Sequence, residues 1–180
     1  MNVGSIHSAR LPGADPSLGE DDLSRSARAP RIYGNILVPV DDSSACEESV
    51  WDAVELATAL GSRIKLVHVI TRTPWMAMGT GPAAIEDLII QLQSAGESML
   101  HRIQKDMRTS GVEIDAKVIE GFGRRVGELV VAEASSWPAD LITLGVRRRT
   151  GIRHILTGGN VDYILRHSRI PVLLIPSEGS

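Results

Sequence analysis

The chain reads Asn35-Ile36-Leu37-Val38-Pro39-Val40 and then, without a gap, Asp41-Asp42-Ser43-Ser44. The first six residues form a short apolar run, which is typical of a β-strand buried on both faces. Ser44 and Glu47 have the spacing of a capping box, and apolar residues then recur at helical spacing as far as Gly61. The stretch therefore predicts a buried strand, a polar connection and a helix.

The same alternation continues to the end of the chain. Apolar runs predict further strands at residues 64–70, 112–119, 140–144 and 171–175, and helical periodicity predicts helices at 85–107, 126–135 and 160–167. Alternation of this kind predicts an α/β fold with an open, doubly wound five-stranded parallel sheet and helices on both faces, in three α/β/α layers. Pro171 favours an edge position for the last strand, because proline removes a ladder donor.

Composition limits the domain organisation and the location. Residues 1–30 show no apolar periodicity and are predicted to be a disordered tail, whereas residues 31–180 are predicted to form one domain. No apolar run is long enough for a transmembrane helix, and the first thirty residues contain no signal-peptide core. The only cysteine, Cys46, excludes a disulfide framework within the chain and a multi-cysteine metal site. We therefore expect a cytoplasmic protein without a membrane partner.

Charge is distributed unevenly along the chain. Residues 31–120 contain 8 basic and 13 acidic side chains, whereas residues 121–180 contain 8 basic and 5 acidic ones, and all eight are arginine. This asymmetry favours an anionic ligand near the C-terminal part. The net charge of −3 and only six aromatic residues argue against nucleic acid as a partner.

Two segments follow strands that are predicted to end at the ligand-binding edge of the sheet, the carboxyl edge. The first is Asp41–Ser44, which lacks the Gly-x-Gly-x-x-Gly pattern of dinucleotide-binding turns and so argues against hydride transfer. An aspartate here, Asp41 or Asp42, can accept hydrogen bonds from a ribose. It can equally help to cap the following helix. The residues alone leave both interpretations open.

The second segment runs from Gly145 to Asn160 and is rich in glycine and arginine. Glycines at both ends and a helix start at Asn160 can form a nest of backbone N–H groups that binds phosphate. The spacing from Gly145 to Gly151 is not that of a Walker A loop. An ordinary strand-to-helix connection with solvated arginines is the alternative interpretation.

Several blocks of the sequence carry a family resemblance. They are Pro39-Val40-Asp41, Leu66-Val67-His68-Val69, Ala139 to Gly145, Tyr163 to His167, and Ile170 to Ile175. In this order and spacing the chain resembles the universal stress protein (UspA-type) family over about residues 32–176. The resemblance implies a Rossmann-like fold related to the adenine nucleotide alpha-hydrolases. It also implies a homodimer paired through the last strand, about residues 171–176, and an adenine nucleotide such as ATP, with Mg²⁺, in the crevice.

The resemblance also assigns site residues. The family's ATP-binding pattern Gly-x2-Gly-x9-Gly-Ser/Thr falls here on Gly145, Arg148, Gly158 and Gly159, so arginine replaces the second glycine and glycine replaces the hydroxyl residue. Neighbouring arginines can replace the lost phosphate contacts. The predicted nucleotide-binding residues are Pro39, Val40, Asp41, Val69, Gly145, Arg147, Arg148, Gly158, Gly159 and Asn160.

Function follows from these assignments as an expectation. We expect a dimeric sensor of the stress response that binds ATP or a similar phosphate ligand between the loops after strands 1 and 4. The alternative is a member that binds no nucleotide and contacts a regulatory protein partner through its arginine-rich loop. No nucleophile–base pair or metal-ligand spacing is present in the sequence, so catalysis beyond a weak ATPase activity is not expected.

Overall fold

The computed structural model describes residues 32–41, 43–71, 81–121, 123–147 and 159–177. Its strands are β1 (Asn35–Val40), β2 (Arg63–Ile70), β3 (Ile114–Glu120), β4 (Leu141–Arg147) and β5 (Val172–Ser177). Its helices are α1 (Ser44–Leu60), α2 (Pro82–Asp106), α3 (Val126–Ser136) and α4 (Asn160–His167), with a short 3-10 helix at Arg108–Ser110. The predicted tail, residues 1–30, lies outside the described residues.

The sheet is parallel and has the order β3-β2-β1-β4-β5. Two apolar clusters lie on its opposite faces. One contains residues of α1 and α2 with alternate β1 residues such as Ile36 and Val38, and the other contains residues of α3 and α4 with Leu37. Since successive strand side chains point to opposite faces, this arrangement confirms the predicted three-layer α/β/α fold. β5 lies at an edge of the described sheet, as Pro171 predicted.

Glycines and prolines mark the helix ends largely as the sequence predicts. Gly61 closes α1 with φ of 64°, a conformation that costs glycine little, and its N–H bonds to the carbonyls of the last turn. Gly111, with φ of 72°, ends the 3-10 helix. Pro82 was expected in the preceding loop but begins α2. Proline is tolerated there because the N–H groups of the first helical turn form no hydrogen bonds within the helix.

Several boundaries differ from the prediction by one to three residues, and two of them bear on the site. The N-cap of α1 is Ser43 rather than Ser44, because the Ser43 side chain accepts the N–H of Cys46 at 3.3 Å. β4 does not end at Leu144. It continues through Gly145 to Arg147, because these residues pair with β5 up to Ser177. Gly145 is therefore a strand residue and not the start of a loop.

A buried ion cluster ties α3 to the sheet. Glu133 of α3 accepts from Lys65 of β2 and Lys117 of β3, both at 2.6 Å, and its side chain is only 6% exposed. Burial by itself raises the pKa of Glu133, but the hydrogen bonds and charges of Lys117 and Lys65 outweigh it and hold the pKa below its ordinary value. α3 is thereby held in register over β2 and β3.

Within the described ranges, no helix combines the length and the apolar character that a membrane crossing requires. The longest, α2, has 25 residues. Its charged residues, from Glu86 to Asp106, recur along its length.

Candidate functional site

A crevice opens where β1 and β4 separate. Their described pairing comprises only Ile36 with Leu141 and Leu37 with Ile142, at the amino halves of the two strands. β1 remains paired with β2 along its whole length, and β4 remains paired with β5. The carboxyl ends of β1 and β4 therefore diverge at the point where strand order reverses, which is where open α/β sheets bind ligands.

A cavity of about 210 Å³ lies in this crevice. Six of the predicted nucleotide-binding residues line it: Pro39, Val40, Asp41, Val69, Gly145 and Asn160. They come from four different elements, which the chain brings together only by forming the sheet. The remaining wall is mostly aliphatic and includes Val126, Leu144 and Ile164. The cavity thus has apolar sides with a few polar groups, as small-molecule sites commonly do.

Asp41 lies at the end of β1 with an exposed side chain. Its Oδ1 accepts the backbone N–H of Ser43 at 3.0 Å and the hydroxyl of Ser43 at 2.5 Å. The Asp41 backbone N–H in turn donates to Sγ of Cys46 at 3.2 Å. Asp41 thus supports the cap of α1, and its exposed carboxylate also faces the cavity.

Cys46 and His68 line the cavity as well, although neither was among the predicted nucleotide-binding residues. Cys46 is 6% exposed in the first turn of α1. Nδ1 of His68 lies 2.9 Å from the carbonyl oxygen of Val40, and because a carbonyl only accepts, Nδ1 is the donor. The register of β1 on β2, which places His68 opposite Val40, brings the histidine here. The pairing register of two strands cannot be predicted from a local sequence pattern, so His68 could not be assigned to the cavity from the sequence.

The N-termini of α3 and α4 meet on the β4 side of the crevice. The Gly127 N–H faces Oδ1 of Asn160 at 3.4 Å, and a Cβ on Gly127 would lie 2.7 Å from the Asn160 carbonyl oxygen. Only glycine allows this approach. Neither N-cap residue, Arg125 or Gly159, caps its own helix through its side chain, and Asn160 accepts only the Gly127 N–H, so two positive helix ends flank the cavity. This side of the crevice favours an anionic group.

The other four predicted nucleotide-binding residues are Gly159, Arg147, Arg148 and Gly158, and the structure describes only some of them. Gly159 is exposed and is the N-cap of α4, next to the cavity-lining Asn160, and an added Cβ would meet nothing within 4 Å. Its φ of 178° is extended backbone. Arg147 ends β4, and its side chain is not among the described groups. Arg148 and Gly158 lie outside the described residues, as does Asp42.

Comparison with known proteins places this geometry in a family. The model of the universal stress protein family matches residues 32–176. A universal stress protein of Methanocaldococcus jannaschii, MJ0531, is 24% identical over 144 residues, which cover 80% of this chain and 82% of that protein. The family match includes all five strands except the last residue of β5.

Solved structures of similar fold include relatives with bound nucleotides. A universal stress family protein from Burkholderia pseudomallei has a TM-score of 0.65 at 27% identity and covers 83% of this chain and 100% of its own. A universal stress protein in complex with cAMP has a TM-score of 0.59 at 17% identity, with 81% and 98% covered. Others of this fold were solved with dAMP, from Archaeoglobus fulgidus, and with AMP, from Arabidopsis thaliana.

Proposed function

The chain belongs to the universal stress protein family, and from this premise we propose that it is a regulatory protein that binds an adenine nucleotide in the crevice between β1 and β4. One observation carries the proposal. The cavity where these strands separate is lined by six residues that the sequence assigns to a nucleotide. The relatives solved with cAMP, dAMP or AMP support an adenine nucleotide as the ligand class.

The polarity of the cavity orients the proposed ligand. Asp41, on the β1 side, provides an acceptor for ribose hydroxyls. The positive N-terminal ends of α3 and α4, on the β4 side, favour a phosphate group. A phosphate beside the Asp41 carboxylate would be repelled, so the reverse orientation is disfavoured. The sugar therefore lies toward β1 and the phosphate toward α4.

The size of the cavity limits how much of the ligand it encloses. Its volume of about 210 Å³ is below the roughly 300–1,000 Å³ of pockets that enclose a drug-sized ligand. We infer that the cavity holds the nucleoside part and that the phosphates extend past Asn160 toward Gly159 at the start of α4. ATP with Mg²⁺ is the ligand we propose.

The proposed mechanism is sensing without catalysis. A bound nucleotide contacts both the β1 side of the crevice and the helix starts on its β4 side. The nucleotide-bound protein therefore presents a different surface to a regulatory partner than the nucleotide-free protein does. Phosphate release from ATP that is no faster with the protein than without it is the expected result. A cytoplasmic location remains a prediction.

We also propose that the protein is a homodimer through β5. Leu173 of this edge strand is 40% exposed, and the nearby Ile32 is 78% exposed. Together with Pro171, Val172 and other apolar residues they line a shallow pocket of about 340 Å³. An unpaired strand edge beside an apolar surface is suited to pairing with a second copy.

The test is calorimetric titration of ATP with Mg²⁺ into the full chain and into Asp41→Ala. Losing a charge-assisted hydrogen bond to ribose costs about 1.5–3 kcal/mol, so we expect Kd to rise roughly 10- to 100-fold. Asp52→Ala, which removes an exposed carboxylate elsewhere on α1, is the matched control and should leave Kd unchanged. No heat and no shift in Tm at millimolar ATP would refute nucleotide binding and favour the partner-binding alternative.

A further inference from the structure

A second pocket lies at the opposite, amino end of the sheet. It has a volume of about 480 Å³ and is formed where α2 ends and β3 begins. Seven residues line it: His101, Gln104, Lys105, Met107, Arg108, Val112 and Ile114. β3 alone is seven residues long, about 23 Å at 3.3 Å per residue, so this pocket is well separated from the crevice.

Three cationic or protonatable side chains surround the pocket. His101 and Lys105 are four residues apart on α2, and Arg108 follows in the 3-10 helix. Residues three and four apart lie on the same helix face, so all three lie on one side of the chain. Within the described residues none of them forms an ion pair. The pocket thus concentrates positive charge that no described acidic side chain neutralises.

The acidic residues nearby do not line this pocket. Asp106 follows Lys105 directly and therefore points about 100° around the helix from it. Asp115 follows Ile114 in β3, and alternation along the strand directs its side chain to the opposite face from Ile114. Glu113 precedes the strand and is not a lining residue. The described lining of the pocket therefore contains basic side chains and no acidic one.

Helix stability alone does not explain the cluster. A cation in the last turn interacts favourably with the negative helix end, and Lys105 occupies that turn. Adding Arg108 three residues after Lys105 places two like charges beside one another, which offsets that gain. The three side chains also surround a concave space, whose floor contains the buried Met107. A bound anion relieves the repulsion.

A hydrogen bond of Gln104 fixes the position of one wall of the pocket. Its Nε2 donates to the carbonyl oxygen of Ile114 at 2.7 Å, which joins α2 to the start of β3. This bond fixes the end of the helix against the start of the strand, and both bonded residues line the pocket. The amide is half-buried, and Lys105 and Arg108 on either side are exposed.

We propose that this pocket is an anion site that binds a small molecule carrying a diphosphate or a similar group with two or more negative charges. The guanidinium of Arg108 suits bidentate contact with phosphate, and the ammonium of Lys105 acts as a point charge. A concave pocket of this volume fits a small molecule. The site is independent of the crevice and does not rest on nucleotide binding there.

The test is titration of inorganic pyrophosphate into the full-length protein, followed through backbone amide chemical shifts. Saturable shifts confined to residues 101–114 are expected. The double variant Lys105→Gln with Arg108→Gln should weaken binding at least about tenfold, because it removes two charge-assisted contacts. The matched control is Arg102→Gln with Arg124→Gln, which also removes two positive charges but no pocket residue; it should change Kd less than about twofold.

Three results would overturn the proposal. The first is the absence of saturable shifts at residues 101–114 with pyrophosphate at about 10 mM, a Kd too weak for a specific site. The second is equal weakening in both double variants, which would indicate only a general charge effect. The third is binding of a hexaglutamate peptide at these residues without binding of pyrophosphate, which would indicate a protein partner. Asp41→Ala leaves this site intact, so failure here and failure at the crevice are separable.

Discussion

Oδ1 of Asp41 accepts both the N–H and the hydroxyl of Ser43, at 3.0 and 2.5 Å, and Ser43 is the residue that caps α1. One carboxylate therefore combines the two roles that the sequence left open. It holds the helix cap, and its exposed position at the crevice makes it the proposed acceptor for ribose. The two roles can be separated by substitution.

Asp41→Asn should preserve the helix cap better than Asp41→Ala, because the asparagine side chain keeps an acceptor at the same place. We expect Asp41→Ala to lower the free energy of unfolding by about 0.5–1.5 kcal/mol, the usual contribution of a hydrogen bond. Urea unfolding of both variants measures this difference. Equal stabilities for Asn and Ala at this position would show that the bonds to Ser43 contribute nothing.

Gly159→Ser should strengthen binding of ATP. The backbone at Gly159 is extended and an added Cβ meets no described atom within 4 Å, so a side chain fits among the described residues, and its hydroxyl can bind phosphate or cap α4. We expect a gain of about 1 kcal/mol in binding, or roughly fivefold in Kd.

Gly81→Ser is the matched control for that substitution. Gly81 is also an uncapped helix N-cap with nothing within 4 Å of an added Cβ, but it begins α2. Both variants should gain at most a few tenths of a kcal/mol in folding stability. Only Gly159→Ser should change Kd, and an equal change in both would remove phosphate contact as the explanation.

Gly127→Ala should disturb the junction of α3 and α4. The added methyl group would lie 2.7 Å from the carbonyl oxygen of Asn160 and 3.0 Å from Cβ of Tyr163, so the two helix starts must move apart. We expect a loss of about 1–3 kcal/mol in folding stability from overpacking, together with weaker ATP binding. Thermal unfolding and calorimetry measure the two effects. A variant as stable as the parent would show that the helices separate without cost.

Glu133→Gln should destabilise the protein by about 3 kcal/mol at neutral pH, since it leaves Lys65 partly buried without its partner. The pKa of Glu133 is lowered on folding, so its stabilisation is complete above the ordinary value of about 4.3 and is lost as pH falls through the folded-state pKa. The difference in urea midpoint between parent and variant should therefore stay constant from about pH 8 to 5 and narrow below about pH 4.

Glu128→Gln is the control for the buried cluster. Glu128 pairs with Arg124 at 2.8 Å, but both side chains are at least 40% exposed. An exposed pair of this kind contributes about 0–1 kcal/mol. A loss in Glu128→Gln as large as that in Glu133→Gln would contradict the role assigned to burial.

Leu173→Asp should convert the proposed dimer to the 19.4 kDa monomer, because it places a charge on the exposed edge strand. Ile90→Asp makes the same change at a 58% exposed position on α2 and should leave the oligomeric state unchanged. Sedimentation equilibrium distinguishes the two outcomes. A parent protein that is already monomeric at micromolar concentration would refute pairing through β5.

Local pattern alone was sufficient for much of this fold. The apolar run at Asn35–Val40, the helical spacing that ends at Gly61 and the glycine at 111 mark element type and length, because these depend on residues close together in the chain. Alternation of strands and helices then restricts the sheet to a parallel, doubly wound form. The crevice residues Asp41 and Gly145 follow from the same order, since ligands bind where such strands end, whereas Val40 was assigned through the family resemblance.

Tertiary structure decided what no local pattern contains. Pairing with β5 extended β4 through Gly145, and the register of β1 on β2 placed His68 beside Val40. The pocket at the amino end of β3 likewise exists only because α2 packs across that strand. Strand register and helix placement minimise the free energy of contacts between residues distant in sequence, so these features emerge only when the whole sheet has formed.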